Sequence, residues 1–223
     1  GQPAAAMKKA LLAVPLLFAT FLAHADLVVE QKIESAIVNG NAVSKLKGDR
    51  MKIDTPVPGG QVMTMIVDAK TGDATALMHA QKMAMKMNLN AAMKQAAAAT
   101  GGTPQNPANA SKPKATGTKE KVGEHNAEIY EVTVAGQTVR IWAAKDFPKA
   151  EAYKDQMNKL AKAVSGGQYD PSQFDVPGMI VKTELDSPQG KMTTILVSIR
   201  EENVADSEFE VPAGYQSMQV PEQ

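Results

Sequence analysis

The sequence lacks cysteine altogether and is poor in aromatic residues, with one Trp, four Tyr and five Phe among its 223 residues. Without cysteine no disulfide can form, no thiolate can hold a metal ion, and no lipid can be attached through a cysteine side chain. The fold must therefore be held by packing of apolar side chains. Any cavity would be lined by aliphatic and methionine side chains more than by stacked rings.

The chain also lacks an excess of charge, since 24 basic residues balance 24 acidic ones. A protein that binds nucleic acid needs basic side chains clustered on one face, which this balance does not suggest. We expect no nucleic-acid partner.

Motifs of catalysis are missing as well. The sequence contains no Gly-x-Ser-x-Gly elbow, no His-Glu-x-x-His zinc motif and no phosphate-binding loop. Carboxylates such as Asp146, Glu184 and Asp186 have no spacing that marks an acid–base pair. We therefore expect a protein that is not an enzyme, with no cofactor and no dedicated metal site.

An apolar run near the beginning of the sequence is typical of an export signal. Lys8 and Lys9 precede the run from Leu11 to Leu22, and Ala23 and Ala25 place small side chains where a signal peptidase cleaves. The run is short for a membrane span of about 20 residues. We predict that residues 1–25 are an upstream extension plus a cleaved signal peptide. The mature chain would then be periplasmic or secreted, without a transmembrane segment.

Most of the chain from Asp26 onward alternates apolar and polar residues, which predicts β-strands with one buried face. Asn39-Gly40 predicts a hairpin turn, because both residues tolerate positive φ. No β–α–β alternation is present, so a parallel nucleotide-binding sheet is not expected. The pattern predicts an α+β protein whose antiparallel sheet has about eight to eleven strands, accompanied by two helices.

The helices are predicted at Leu89–Ala99 and at 147–164. For the second, Asp146 is a good N-cap, Pro148 suits the first turn, and Gly166-Gly167 ends the helix. Its apolar residues form one stripe, at positions Ala150, Tyr153, Met157, Leu160, Ala161 and Val164. The stripe predicts packing on the sheet, or a lid that lifts at Gly166-Gly167; the lysines at 149, 154, 159 and 162 lie away from it.

Between the helices, residues 100–119 are rich in Pro, Gly, Ser, Thr and Asn and have hardly an apolar side chain. Such a segment buries too little apolar surface to offset its loss of conformational entropy. We predict a flexible loop inside a single domain that covers residues 26–223.

Three segments resemble a known family: LKGDRMKID at 46–54, TVRIWAAKDFPKAEAY at 138–153, and the stretch PGMIVKTEL to GYQSM at 177–218. The family consists of exported bacterial proteins catalogued as a domain of unknown function and grouped with the LolA/LolB-like lipoprotein carriers. The resemblance implies a strongly curved antiparallel sheet, an unclosed half-barrel with helices covering its concave face. It also implies a cavity for acyl chains or hydrophobic partners.

Methionine is the abundant residue, with 13 in the chain. Met63 and Met65 alternate on one predicted strand, and Met83, Met85 and Met87 alternate on another. Three interpretations remain open: a buried sheet face, a lining for flexible apolar ligands, and a soft Cu(I) site completed by His79. Trp142 precedes the second helix and either packs between helix and sheet or contributes to the cavity wall. We predict a ligand site that comprises Met63, Met65, Met83, Met85, Met87 and Trp142.

The functional prediction is a non-catalytic cell-envelope protein that binds or carries a lipid, an acyl chain or a lipoprotein-like partner in its half-barrel. One alternative is a methionine-rich envelope protein that binds Cu(I). The other is a packed module without a ligand cavity, in which a sheet edge or the loop at 100–119 docks an envelope protein.

Overall fold

The computed structural model of the protein describes residues 25–91, 110–134, 136–164, 174–187 and 190–220. The described residues include twelve strands, the helix α1 at Ala150–Val164, which follows β9, and a short 3₁₀ helix at Asp206–Phe209. The strands are β1 Leu27–Glu34, β2 Asn39–Lys47, β3 Arg50–Val57, β4 Gln61–Asp68, β5 Asp73–Met78, β6 Met83–Asn88, β7 Lys114–Val122, β8 His125–Val134, β9 Gln137–Ala144, β10 Met179–Ser187, β11 Gly190–Glu201 and β12 Gln216–Gln219.

All twelve strands belong to one sheet, in the order β12-β6-β5-β4-β3-β2-β1-β11-β10-β9-β8-β7. Every neighbouring pair is antiparallel except β6 and β12, which run parallel. The sheet does not close, because β7 and β12 end it on opposite sides. The predicted α+β architecture, a strongly curved and unclosed half-barrel with a helix on its concave face, is confirmed. The strand number exceeds the predicted eight to eleven.

Residues that face each other across strands lie on the same face of the sheet, and successive residues alternate between faces. Leu27 and Val29 of β1 contact α1, together with Leu46 of β2. We call the face that carries these residues the helix face. Its opposite is called the tail face, because residues near the C-terminal end of the described chain cover part of it.

Helix α1 packs on the sheet through the stripe that its sequence predicts. Leu160 is 7% exposed and belongs to one apolar cluster with Leu27, Val29 and Leu46, and Tyr153 and Met157 pack against that cluster. Truncating a side chain buried like Leu160 to alanine costs about 2–5 kcal/mol. Packing against β1 and β2 therefore holds the helix in place.

The helix begins three residues later than predicted, and Asp146 does not cap it. One Asp146 carboxylate oxygen accepts a hydrogen bond from the backbone N–H of Asn126 at 3.2 Å, and the other lies 3.3 Å from Nδ1 of His125. These contacts lower the pKa of Asp146, the Asn126 hydrogen bond being the main cause. The carboxylate is thus engaged by the first two residues of β8, distant in sequence, and does not contact the first turn of α1.

Two sequence-based boundaries are corrected. The first hairpin turns at residues 35–38, and Asn39 and Gly40 lie in β2, opposite Glu34 and Ile33. Ser35 closes this turn, because its hydroxyl accepts from the backbone N–H of Val38 at 2.9 Å. Residues 114–119, predicted to lie in the flexible loop, belong to β7, which pairs with β8 along the edge of the sheet.

Other predictions fall outside the described residues. They concern the signal peptide at positions 1–24, the helix beyond position 91, the loop at 100–109 and the hinge at Gly166-Gly167.

The segment after β11 crosses the tail face of β3–β6 before it adds β12. Phe209, Val211 and Tyr215 pack on an apolar cluster formed by Ile66, Leu77 and Ala84. Glu208 forms ion pairs with Lys45 and Lys52, each at 2.9 Å, and Asp206 pairs with Arg50. We call residues 204–215 the tail strap.

None of the helices in the described part of the chain is long and apolar enough to span a membrane.

Candidate functional site

A cavity of about 330 Å³ lies on the helix face, between α1 and the sheet. Strands β1, β10 and β11 form its floor, α1 forms one wall, and residues 174–176 form another. The lining residues are Val29, Gln31, Lys154, Met157, Asn158, Phe174, Asp175, Val176, Met179, Ile180, Thr183, Leu196 and Ile199. Ligand pockets in proteins have volumes of about 300–1,000 Å³, so this cavity has the size of a small ligand site.

Lys154 provides the positive charge of the cavity wall. Its ammonium group lies 2.9 Å from Asp175 and donates to the backbone carbonyl of Val176 at 2.8 Å. A third contact, at 3.4 Å, reaches Glu151. The side chain is 15% exposed, although the sequence places Lys154 away from the packed stripe. The position of residues 174–176 beside the helix explains this burial.

The five predicted methionines lie on the helix face, where the register of β4, β5 and β6 brings them together. Met63 faces Met78, which in turn faces Met83, so three methionines are neighbours across three strands. Met65 and Met85 both face Ala76 from opposite sides. The complete group, called the methionine patch, comprises Met51, Met63, Met65, Met78, Met83, Met85, Met87 and Met218.

One row of directly opposed residues connects the cavity to the methionine patch. It runs across the helix face through Ile199, Val29, Ser44, Ile53, Met65, Ala76, Met85 and Met218. Ile199 and Val29 line the cavity, and the row contains one polar side chain, that of Ser44. The two features are therefore parts of one apolar surface.

The methionine patch is not fully buried. Met218 is 54% exposed and Met63 is 37% exposed, whereas Ala74 and Ala76 between them are below 9%. Flexible thioether side chains thus stand over a floor of small residues. This arrangement suits a surface that adapts to ligands of different shape.

Trp142 lies apart from the cavity. It faces Lys182 across β9 and β10, whereas its neighbour Ile141 faces the cavity-lining Thr183. Because successive residues point to opposite faces, the indole points away from the helix face at this position. It is 3% exposed and donates to Glu120 at 2.7 Å, and the ammonium of Lys182 lies 4.1 Å from the ring centroid.

His79 also lies away from the methionine patch. Its Nε2 is 2.7 Å from the hydroxyl of Thr64, and its Nδ1 contacts the hydroxyl of Tyr215 in the tail strap. Thr64 is on the tail face, since it alternates with Met63 and Met65 along β4. In the described residues no group of three or more His, Asp or Glu side chains is placed to hold a metal ion.

Sequence reasoning missed most of the cavity-lining residues. Met157 carried a signal, because it belongs to the apolar stripe of α1. Gln31 and Thr183 carried none, since polar residues on strands are expected to face solvent. The contributions of Met51, Met78 and Met218 depend on the strand register, and the parallel pairing of β12 with β6 brings Met218 to the patch.

Residues 28–215 match the family described as "Domain of unknown function (DUF4412)". The chain belongs to this family. The resemblance that the sequence motifs indicate is thus confirmed over nearly all of the described fold. A comparison with curated proteins finds no match to the DUF4412 chain.

Several solved structures are similar to this DUF4412 protein at low sequence identity. The lipoprotein LppX of Mycobacterium tuberculosis has a TM-score of 0.43 and 11% identity, over 82% of this chain and 90% of its own. PNGF-II has a TM-score of 0.43 and 10% identity, over 88% of this chain. The chain spans about a third of PNGF-II, 32% of its length. MucB, in complex with MucA(peri), has a TM-score of 0.41 and 10% identity, over 89% of this chain and 58% of its own.

Proposed function

We propose that this protein is a non-catalytic component of the cell envelope that binds a hydrophobic ligand on its helix face. The ligand is a lipid, an acyl chain, or the lipid-like part of a protein partner. The observation that carries the proposal is the apolar row of residues that joins the cavity under α1 to the methionine patch. The apolar run before Asp26, with Lys8 and Lys9 ahead of it, supports the envelope location.

Binding would be driven by removal of apolar surface from water. Each 100 Å² of apolar area that a ligand and the helix face bury together contributes about 2.5 kcal/mol. The exposed thioethers of the methionine patch add to this buried area, because a ligand that covers them removes their apolar surface from water. This mechanism needs no proton transfer and no nucleophile.

Helix α1 covers the cavity, and its first turn is anchored to the end of β11. Lys149 pairs with Glu201 at 2.6 Å, and the hydroxyl of Tyr153 lies 3.3 Å from the same carboxylate. Lys149 lowers the pKa of Glu201, and Glu201 raises that of Lys149. The anchored end would stay in place while a ligand enters beside residues 174–176.

The proposal is tested with a fluorescent apolar probe, N-phenylnaphthylamine, and two variants. Met85→Lys places a charge in the methionine patch, and Asn158→Phe fills the cavity from α1. We expect at least one variant to weaken binding by about tenfold or more, because a buried charge or a filled cavity removes the apolar site. Fluorescence titration measures the dissociation constant.

The matched control is Val62→Lys. Val62 is 46% exposed and lies on the tail face of β4, so the same charge is added outside the proposed site. Binding by this variant should equal that of the wild type. Failure of the wild-type protein to bind the probe, or equal binding by all variants, contradicts the proposal.

A Cu(I) site is a second candidate, favoured by the direct opposition of Met63, Met78 and Met83 on three adjacent strands. Thioethers are soft ligands that select Cu(I). Cu(I) at about 100 times its dissociation constant should then raise the free energy of unfolding by about 2.7 kcal/mol, and Zn(II) should not. Met78→Leu should remove the effect, whereas Met192→Leu, outside the patch, should retain it.

The packed-module alternative requires an interior without space for a ligand. The cavity of about 330 Å³ beneath α1 does not match this requirement. A protein partner therefore enters the proposal as a carrier of the hydrophobic ligand.

A further inference from the structure

The cavity beneath α1 is electrically neutral on the part of its wall that the structure describes. Lys154 is its one basic side chain and Asp175 its one acidic side chain, and the two pair at 2.9 Å. The Val176 carbonyl and Glu151 occupy the remaining donor directions of the Lys154 ammonium group. No basic group among the described lining residues is left to receive an anionic ligand.

The same wall carries uncharged polar groups that the protein does not use. The side-chain amides of Gln31 and Asn158 and the hydroxyl of Thr183 line the cavity without a hydrogen-bond partner in the described residues. Together they offer donors and acceptors. A few such groups on an apolar lining orient a ligand and determine which polar groups it can carry.

We infer that the cavity selects a neutral amphiphile: an acyl chain with an uncharged hydrogen-bonding head group, such as a glycerol ester. This inference rests on the proposed function. An ester and its hydroxyls can exchange hydrogen bonds with Gln31, Asn158 and Thr183. A carboxylate or phosphate head would lose its hydration and meet no free cation, which makes its burial unfavourable.

The test is displacement of N-phenylnaphthylamine from the full protein by monooleoylglycerol and by oleate, each below its aggregation concentration. The two lipids have the same chain and differ in head-group charge. We expect monooleoylglycerol to displace the probe at a concentration at least tenfold lower than oleate. Equal or stronger displacement by oleate overturns the inference, and so does a bound probe that neither lipid displaces.

A charge variant tests the physical cause. Asp175→Asn releases Lys154 from its nearest carboxylate, so oleate should bind about tenfold more tightly while monooleoylglycerol changes less than twofold. The control Asp155→Asn removes the same charge from α1 at an exposed pair with Lys159. It should leave both lipids unchanged. An Asp175→Asn protein that keeps the wild-type preference contradicts the role given to the ion pair.

These outcomes separate the inference from the proposed function. A protein that binds no probe at all contradicts both. One that binds the probe and prefers oleate retains the hydrophobic site and contradicts the neutral head group alone.

Discussion

Gly178 is the residue at which the backbone of the site is most constrained. It immediately precedes β10, with φ of +88°, and a Cβ built there would lie 2.2 Å from the carbonyl oxygen of Ala144. Strand β9 ends at Ala144, so this close approach sets how β10 enters the cavity floor. Only glycine fits, because it has no Cβ and adopts positive φ readily.

We predict that Gly178→Ala lowers the free energy of unfolding by about 3 kcal/mol or more, since it adds a backbone clash to an unfavourable φ. Gly214→Ala is the control, because Gly214 has a similar φ of +85° and open space around its Cβ position. That variant should lose about 1–2 kcal/mol. Urea denaturation measures both. Equal losses in the two variants would mean that the contact with Ala144 is not limiting.

Single residues also show what alternation in the sequence can predict. The spacing of Met63 and Met65, and of Met83, Met85 and Met87, correctly places each set on one face of its strand. Whether the two sets share a face depends on the register through β5, which alternation does not reveal. The proximity of Trp142 to the helix in sequence predicts that its side chain contacts the site. The odd–even count along β9 places it on the opposite face.

Among the elements, the tail strap is held by charge as well as by apolar contacts. Hydrogen bonds from Lys45 and Lys52 lower the pKa of Glu208 to about 2 from an ordinary value of 4.5. The ionised carboxylate therefore stabilises the folded protein. This contribution is fully present above about pH 4.5 and is lost as the pH falls toward 2.

We predict that Glu208→Gln lowers the free energy of unfolding at neutral pH by about 1–2 kcal/mol, after allowance for solvent screening at this partly exposed site. The loss should shrink progressively below pH 4.5 as the wild-type carboxylate becomes protonated. Glu210→Gln, at an exposed position without an ion pair in the described chain, is the control. Urea unfolding at a series of pH values tests this. A pH-independent difference would contradict the assigned role of Glu208.

The sequence predicts an element when its own apolar pattern defines it. It does not predict an element, or an element's boundary, that depends on contacts with residues distant in sequence. The stripe of α1 identifies the helix, since its period follows from the sequence. The start of α1 was misplaced because the carboxylate of Asp146 is engaged by Asn126, in another hairpin. Strands β7 and β12 have few buried side chains, and each forms by pairing with an existing sheet edge. Nothing in their own composition predicts this.

At the scale of the whole molecule, the two faces of the sheet are covered differently. The tail strap packs on the tail face of β3–β6, while α1 covers the helix face at β1 and β2. The cavity lies under one side of α1, and the methionine patch extends beyond the other. The apolar surface left on the helix face is the part of the fold that neither segment uses, and we assign it to the ligand.

The most direct test of this account is native mass spectrometry of the purified protein, incubated with an equimolar mixture of monooleoylglycerol and oleate. The account predicts a one-to-one complex whose added mass is that of monooleoylglycerol. A bare polypeptide mass, or an adduct with the mass of copper alone, would contradict a hydrophobic ligand site on the helix face.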